Sequence, residues 1–255
     1  MNSPDVTQRF SNRVADYVRY RPDYPTALID WLREKAGVAV SSNIADIGAG
    51  TGISAKLFLD AGHEVTAVEP NTPMRTASEH WLGTNPHFHA VDGRAEATTL
   101  PDASIDVISV AQAFHWFDTD AVRREWKRIL RPGGLVVIYW NSRRLSGTPF
   151  LQGYEKLLHE FGTDYASVSE RYADDATMKA WFGPGLIATA RFDHHQIFDF
   201  AGLRGRLESS SYAPAKDHPK YEPMITALRS LFDAAAQNNR IEFLYDTRAF
   251  VGRLT

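Results

Sequence analysis

The 255-residue chain has no cysteine. That absence excludes disulfide bridges, thiolate metal sites and a cysteine nucleophile. Nor is one charge in surplus: 28 Lys and Arg stand against 31 Asp and Glu, for a formal net charge of −3. A chain so nearly balanced offers no electrostatic groove for nucleic acid, and no such partner is expected. No apolar run approaches the roughly 20 residues that span a bilayer. The opening residues, MNSPDVTQRF, lack the apolar core of a secretion signal. A cytoplasmic protein without membrane contact is therefore expected. Internal repeats and low-complexity tracts are also missing. What remains is a globular composition, with 44% of residues hydrophobic.

The informative stretch is Asn43–Glu69, NIADIGAGTGISAKLFLDAGHEVTAVE. Ile44, Ala45 and Ile47 make a short apolar strand. Gly48, Gly50 and Gly52 follow as a turn without side chains, against which a ligand can lie. Ile53–Ala61 has Ile53, Leu57 and Phe58 at helical spacing, and Gly62 stops it. Val65–Val68 is a second strand, and Glu69 stands at its end. In a doubly wound sheet, an acid about twenty residues past the first glycine reaches the ribose hydroxyls of a nucleoside cofactor.

The glycine spacing separates cofactors. Dinucleotide folds use G-x-G-x-x-G so that pyrophosphate meets a helix N-terminus. Here the spacing is G-x-G-x-G, and Asp46 stands two residues ahead of Gly48. A carboxylate there would repel pyrophosphate but suits an ammonium group. S-adenosylmethionine (SAM) carries an ammonium, a sulfonium and a ribose, and no phosphate. A nicotinamide-dependent oxidoreductase is the disfavoured alternative. A SAM-binding sensor or scaffold without catalysis is another.

Along the rest of the chain, helices are expected over Thr26–Ala36, Pro73–Leu82 and Thr119–Leu130, the last ended by Arg131-Pro132-Gly133-Gly134. Strands are expected over His87–Val91, Ser104–Val110 and Leu135–Trp140. After Asn141 the rhythm changes. Gln152–Phe161 and Ala176–Phe182 read as helices of an insertion. Ile187–Phe200 and Ile241–Leu254 read as long strands around a helix at Tyr221–Ala236. Alternating strands and helices imply parallel βαβ units. The expected organisation is one domain over residues 1–255. Its core covers residues 26–141 and 187–255, with an N-terminal arm at 1–25 and a helical lid at 142–186.

The arrangement D-I-G-A-G-T-G followed by V-E-P resembles the class I SAM-dependent methyltransferases. Tyr20-Arg21-Pro22-Asp23-Tyr24-Pro25, Ala113-Phe114-His115-Trp116-Phe117-Asp118 and Leu130-Arg131-Pro132-Gly133-Gly134 resemble its type 11 group with an F-H-W-F-D signature. Trans-aconitate methyltransferases look like the best-known members. The resemblance covers most of the chain, most strongly from Phe10 to Asn141. It implies a Rossmann-like α/β fold: a seven-stranded, mostly parallel sheet with one antiparallel edge strand, between helical layers. It further implies that Asp46, Gly48 and Gly50 line the methionine part of SAM, and that Glu69 accepts both ribose hydroxyls. Pro70 and Met74 would lie beside the adenine. Asp92, Gly93, Arg94 and Ala95 would contact the adenine ring, and Ala111 and Gln112 would flank the methionine tail.

The sulfonium is its own leaving group, so methyl transfer needs alignment and exclusion of water more than it needs a metal, and no metal is expected. A base is needed only if the acceptor must lose a proton. His115, after the fourth strand, could orient or deprotonate an acceptor, or pack with Trp116 and Phe117 as a cap. Trp116 and Tyr24 are candidate pocket walls. Tyr17, Tyr20, Arg21 and Tyr24 could fold over SAM, with Arg21 meeting its carboxylate. Arg143, Arg144 or Arg206 could bind an acidic substrate. The expected activity is transfer of a methyl group to a small molecule, with oxygen, and within that a carboxylate, favoured through the resemblance. A monomer or homodimer is expected.

Overall fold

The computed structural model describes residues 19–165 and 175–255. Most of the arm, with Tyr17, lies outside them. So does the middle of the segment expected to form a lid.

Helix α1 (Ala27–Ala36) precedes strand β1 (Asn43–Ile47), helix α2 (Ile53–Asp60) and strand β2 (Glu64–Val68). Helix α3 (Thr72–Leu82), strand β3 (Phe88–Val91) and strand β4 (Ile105–Ala111) follow. Helix α4 (Thr119–Ile129) leads directly into strand β5 (Leu130–Arg143). Next come helices α5 (Pro149–Phe161) and α6 (Asp175–Phe182) and strand β6 (Leu186–Phe198). Helices α7 (Phe200–Glu208) and α8 (Tyr221–Ala235) and strand β7 (Ile241–Gly252) close the chain. Among the described residues, no helix is long and apolar enough to cross a membrane.

The strands form one seven-stranded sheet in the order β3-β2-β1-β4-β5-β7-β6. Strands β3 to β5 pair in parallel through β2, β1 and β4, whereas β7 is antiparallel to both β5 and β6. The antiparallel strand is thus one place in from the edge, and β6 forms the edge itself. Strand β5 runs longer than its apolar core suggested, because β7 pairs with it from Val136 to Arg143. Arg131–Gly134 bulge out between two register positions on β4.

Side-chain alternation divides the core. Leu135, Val137 and Tyr139 face α1 and α2, with Leu28, Leu32 and Phe58. Val136, Ile138 and Trp140 face α4, with Val122 and Trp126, and α6 adds Met178 and Phe182 on this side. A third cluster joins Tyr154 and Leu158 of α5 to Leu203 of α7, Leu228 of α8 and Phe243 of β7. The segment after β5 therefore splits: α5 packs with α7 and α8, and α6 packs on the opposite face of the sheet.

Helix α7 has no counterpart in the sequence reading. Gly202 and Gly205 weaken the helical signal. The helix is nevertheless started by Asp199, whose carboxylate accepts from the Gly202 N–H at 2.8 Å. At Gly205 a Cβ would lie 2.2 Å from the Tyr20 ring, far closer than atoms can approach.

Candidate active site

The C-terminal ends of β1 and β4, where parallel α/β sheets bind ligands, carry the candidate site. After β1 the chain turns sharply. The N–H groups of Gly48 and Ala49 donate to the Val68 carbonyl at 2.9 and 3.2 Å. Gly50 has φ +57°, and a Cβ built there would meet no atom within 4 Å. Its missing side chain faces open space, as a backbone approached by a ligand requires. Gly48 differs: a Cβ there would lie 2.8 Å from Ala113 Cβ. One glycine serves packing and the other leaves a cradle.

Glu69 sits behind the turn. Its Oε2 accepts from the Gly50 N–H and its Oε1 from the Asn71 N–H, both at 2.8 Å. A carboxylate offers about four acceptor positions. Two of them are filled here. Burial raises the Glu69 pKa, against the lowering effect of the two N–H groups. Arg75 joins this strand end to the next: Nη1 donates to the Glu69 carbonyl at 2.7 Å and Nη2 to Asp92 Oδ2 at 3.1 Å.

A solvent-open cleft of about 420 Å³ runs beside the turn, with Arg21, Tyr24, Gly48, Gly50, Ala111 and Gln112 among its walls. Two buried polar atoms on these walls, Thr51 Oγ1 and Gln112 Oε1, have no hydrogen-bond partner among the described residues. Both suit a polar ligand lying in the cleft. Gln112 also lines a second cleft of about 260 Å³ with His115, Phe114, Ile138, Tyr139 and Trp140. Gln112 has φ +56°, in the left-handed region that non-glycine residues enter at a cost of about 1 kcal/mol or more. Its backbone N–H donates to the Tyr139 carbonyl at 3.1 Å.

From Arg19 onward the arm docks on the sheet. The Asn141 amide donates to the Asp23 carbonyl at 2.9 Å, and Tyr24 meets Tyr139 edge-on at 4.8 Å. Arg21 and Tyr24 thus line the cleft. Tyr20 does not line it, because its ring is spent on Gly205.

Asp46 is placed differently from the sequence expectation. It is fully buried and lines neither cleft. Its Oδ2 accepts from Ser54 Oγ at 2.5 Å and its Oδ1 from Ser109 Oγ at 3.0 Å, and Ser109 meets the Tyr139 hydroxyl at 3.0 Å. Ser54 lines the cleft in its place. Burial pushes the Asp46 pKa up to about 6, against the opposing pull of the two serines. Arg144 is also elsewhere: its guanidinium binds Asp246 at 2.7 Å and Asp193, at the β6–β7 surface. Met74 is buried, and Asp92–Ala95 follow β3 without entering either cleft. Pro70 is half-buried beside Glu69. The Trp116 ring lies tilted at 45° against His115, with ring centroids 4.5 Å apart.

Sequence reasoning missed Ser54, Thr51, Ser109 and Arg75. Ser109 had a usable signal, being a hydroxyl inside the apolar strand IDVISVA and register partner of Asp46.

Residues 45–138 match the family model described as a methyltransferase domain. An uncharacterised methyltransferase of Schizosaccharomyces pombe is 30% identical over 249 residues, covering 96% of each chain. An uncharacterised methyltransferase of Mycobacterium bovis is 38% identical over 139 residues, 54% of each chain. Among solved structures, one from Anaeromyxobacter dehalogenans, described as a candidate type II methyltransferase, superposes with a TM-score of 0.71 at 22% identity. It covers 92% of this chain and 98% of its own, and it speaks for the fold. The chain belongs to the class I SAM-dependent methyltransferases of the type 11 group. It is a methyltransferase enzyme and its cofactor is SAM.

Proposed function

We propose that the enzyme transfers the SAM methyl group to an oxygen, a carboxylate, of a small molecule held between Gln112 and His115. The observation that carries this reading is the meeting of two clefts at Gln112. In-line transfer needs the acceptor and the methyl carbon side by side, and one residue shared by both clefts provides that adjacency. SAM supplies a methyl group on a sulfonium, which leaves as a neutral thioether when an acceptor lone pair attacks the methyl carbon.

The chain's own residues bind and align. Glu69 takes the ribose diol on its two remaining acceptor positions. Gly50 lets the cofactor lie on the backbone, and Thr51 Oγ1 and Gln112 Oε1 take its polar groups. Arg21 faces the cofactor's carboxylate across the first cleft. Pro70, Met74 and the Asp92–Ala95 turn hold the adenine side, braced by the bond from Arg75 to Asp92. Asp46 acts from beneath, fixing Ser54 and Ser109. His115 and Trp116 form the acceptor wall, and Tyr24 and Tyr139 keep water from the junction. A carboxylate acceptor needs no base, which agrees with a second cleft lined mostly by apolar and aromatic groups.

The test is the chemistry of the product. Methyl-labelled SAM and a metabolite extract should yield a labelled small molecule whose label is released as methanol by mild alkali, as a methyl ester requires. Label that withstands alkali assigns an ether, amine or carbon acceptor and refutes the carboxylate.

A further inference from the structure

A second polar site lies on the same face of the sheet as the cofactor cleft. Tyr139, Asn141 and Arg143 alternate onto one face of β5. Arg143 is thus four residues beyond Tyr139, roughly 13 Å along the strand at about 3.3 Å per residue. Its register partner on β7 is Tyr245.

Arg206 of α7 reaches this spot and is 6% exposed. Its Nε donates to the Tyr245 hydroxyl and its Nη1 to Ser210 Oγ, both at 3.0 Å. No carboxylate among the described residues pairs with it. Its hydrogen-bond partners are thus one phenol and one serine hydroxyl, and burial raises the pKa of Tyr245 and of Tyr154, which also feels its charge, so both phenols are neutral at pH 7. A buried guanidinium held only by neutral groups is costly and calls for an anion.

Two further atoms at the spot are orphaned. Tyr154 is 1% exposed, and its hydroxyl has no hydrogen-bond partner among the described residues. Arg143 Nη1 is likewise without one, although Nη2 binds Glu155 and the Tyr165 hydroxyl. Arg143 lies over the Tyr154 ring, 5.2 Å from its centroid, and Tyr154 feels the charges of both Arg206 and Arg143. Helices α5 and α7 and the end of β5 therefore bring the Arg206 guanidinium, an unpaired Arg143 N–H and the Tyr154 phenol into one electrostatic neighbourhood. Arg21 ties the place to the cofactor cleft: it lines that cleft and donates to the Ser209 carbonyl at 2.8 Å, next to Ser210.

We propose that Arg206, Arg143 Nη1 and the Tyr154 hydroxyl form the seat for an oxyanion of the methyl acceptor, a carboxylate at the end away from the reacting atom. This rests on the methyl-transfer reading above. The acceptor is then an acid with a second anionic group, or a longer acid lying along β5.

The test is calorimetric binding of succinate, its uncharged counterpart succinamide and inorganic phosphate to the full chain, with and without S-adenosylhomocysteine. Succinate should bind and succinamide should not. Tyr154→Phe should weaken succinate about tenfold with an unchanged melting temperature, because that hydroxyl has no partner to lose. Arg206→Met should abolish succinate binding, and Arg206→Lys should restore part of it. Tighter binding of phosphate than succinate, with the same variant response, keeps the seat and makes its occupant a phosphate group. Should Arg206→Met fail to fold, Tyr154→Phe decides alone. Equal succinate binding by wild type and Tyr154→Phe, or no binding of either anion, overturns the proposal. Anion binding without cofactor does not depend on methyl transfer. A protein that binds succinate as described but methylates no carboxylate would refute the acceptor chemistry proposed above and leave the anion seat standing.

Discussion

Replacing Glu69 by alanine should do two separable things. The carboxylate accepts the N–H groups of Gly50 and Asn71 at 2.8 Å each, at 8% exposure. Truncation leaves both donors without a partner. Each orphaned buried donor costs about 1–3 kcal/mol. Gly50 is only half-buried and borders the cleft, so water can reach its N–H, and about 2 kcal/mol in total is the expected loss of folding stability. The same truncation removes the two acceptor positions assigned to the ribose diol. Charge-assisted bonds of this kind contribute about 1.5–3 kcal/mol each. With partial replacement by water the net loss is about 3 kcal/mol, or about a hundredfold in SAM affinity. Urea unfolding without cofactor measures the first effect, and titration calorimetry of the folded variant measures the second. Glu69→Gln, which keeps one acceptor oxygen, should fall between. A folded Glu69→Ala protein with wild-type SAM affinity would refute the placement of the ribose, whatever its stability.

Both Gly48→Ala and Gly50→Ala place a side chain at positive φ, yet they should differ. Gly48→Ala should lose more stability through its overlap with Ala113, and Gly50→Ala should lose more SAM affinity, with urea unfolding and calorimetry reading each. Asp46 has its pKa raised by burial from 3.8 to about 6, so its contribution to stability is fully present below about pH 4 and is lost as pH rises through about 6. The difference amounts to about 3 kcal/mol, and wild type should gain that much over Asp46→Asn between pH 7 and pH 4; a flat difference would contradict the burial argument. His115→Asn should raise the acceptor KM about tenfold and leave the SAM affinity and, within about threefold, the turnover number; a turnover number lowered a hundredfold would make His115 a base instead.

The first half of the fold was legible because its signals are local. Strand, glycine turn, helix and acid all fall within Asn43–Glu69, and the helix bounds there agree with the structure to about a residue. The second half depends on tertiary partners. Strand β5 extends to Arg143 only because β7 pairs with it, and α7 persists with two glycines because Tyr20 packs on one of them. The antiparallel insertion of β7 between β5 and β6 leaves no mark in local periodicity. The open turn at Gly50 and the place of Glu69 just past β2 were readable from spacing. The direction of Asp46 was not, since β1 turns it toward Ser109, more than sixty residues away in sequence, at the 3.0 Å contact between them. Arg144 looked free in sequence because its partners, Asp193 and Asp246, lie on strands that meet it only in the folded sheet.

The most direct test of the central claim is transfer of isotope from methyl-labelled SAM. Wild-type enzyme, given SAM and a metabolite extract, should move the label into a small molecule and form S-adenosylhomocysteine in equal amount, with Glu69→Ala suppressing both. A protein that binds SAM tightly and leaves all of the label on it, across acid-rich extracts, would contradict the account.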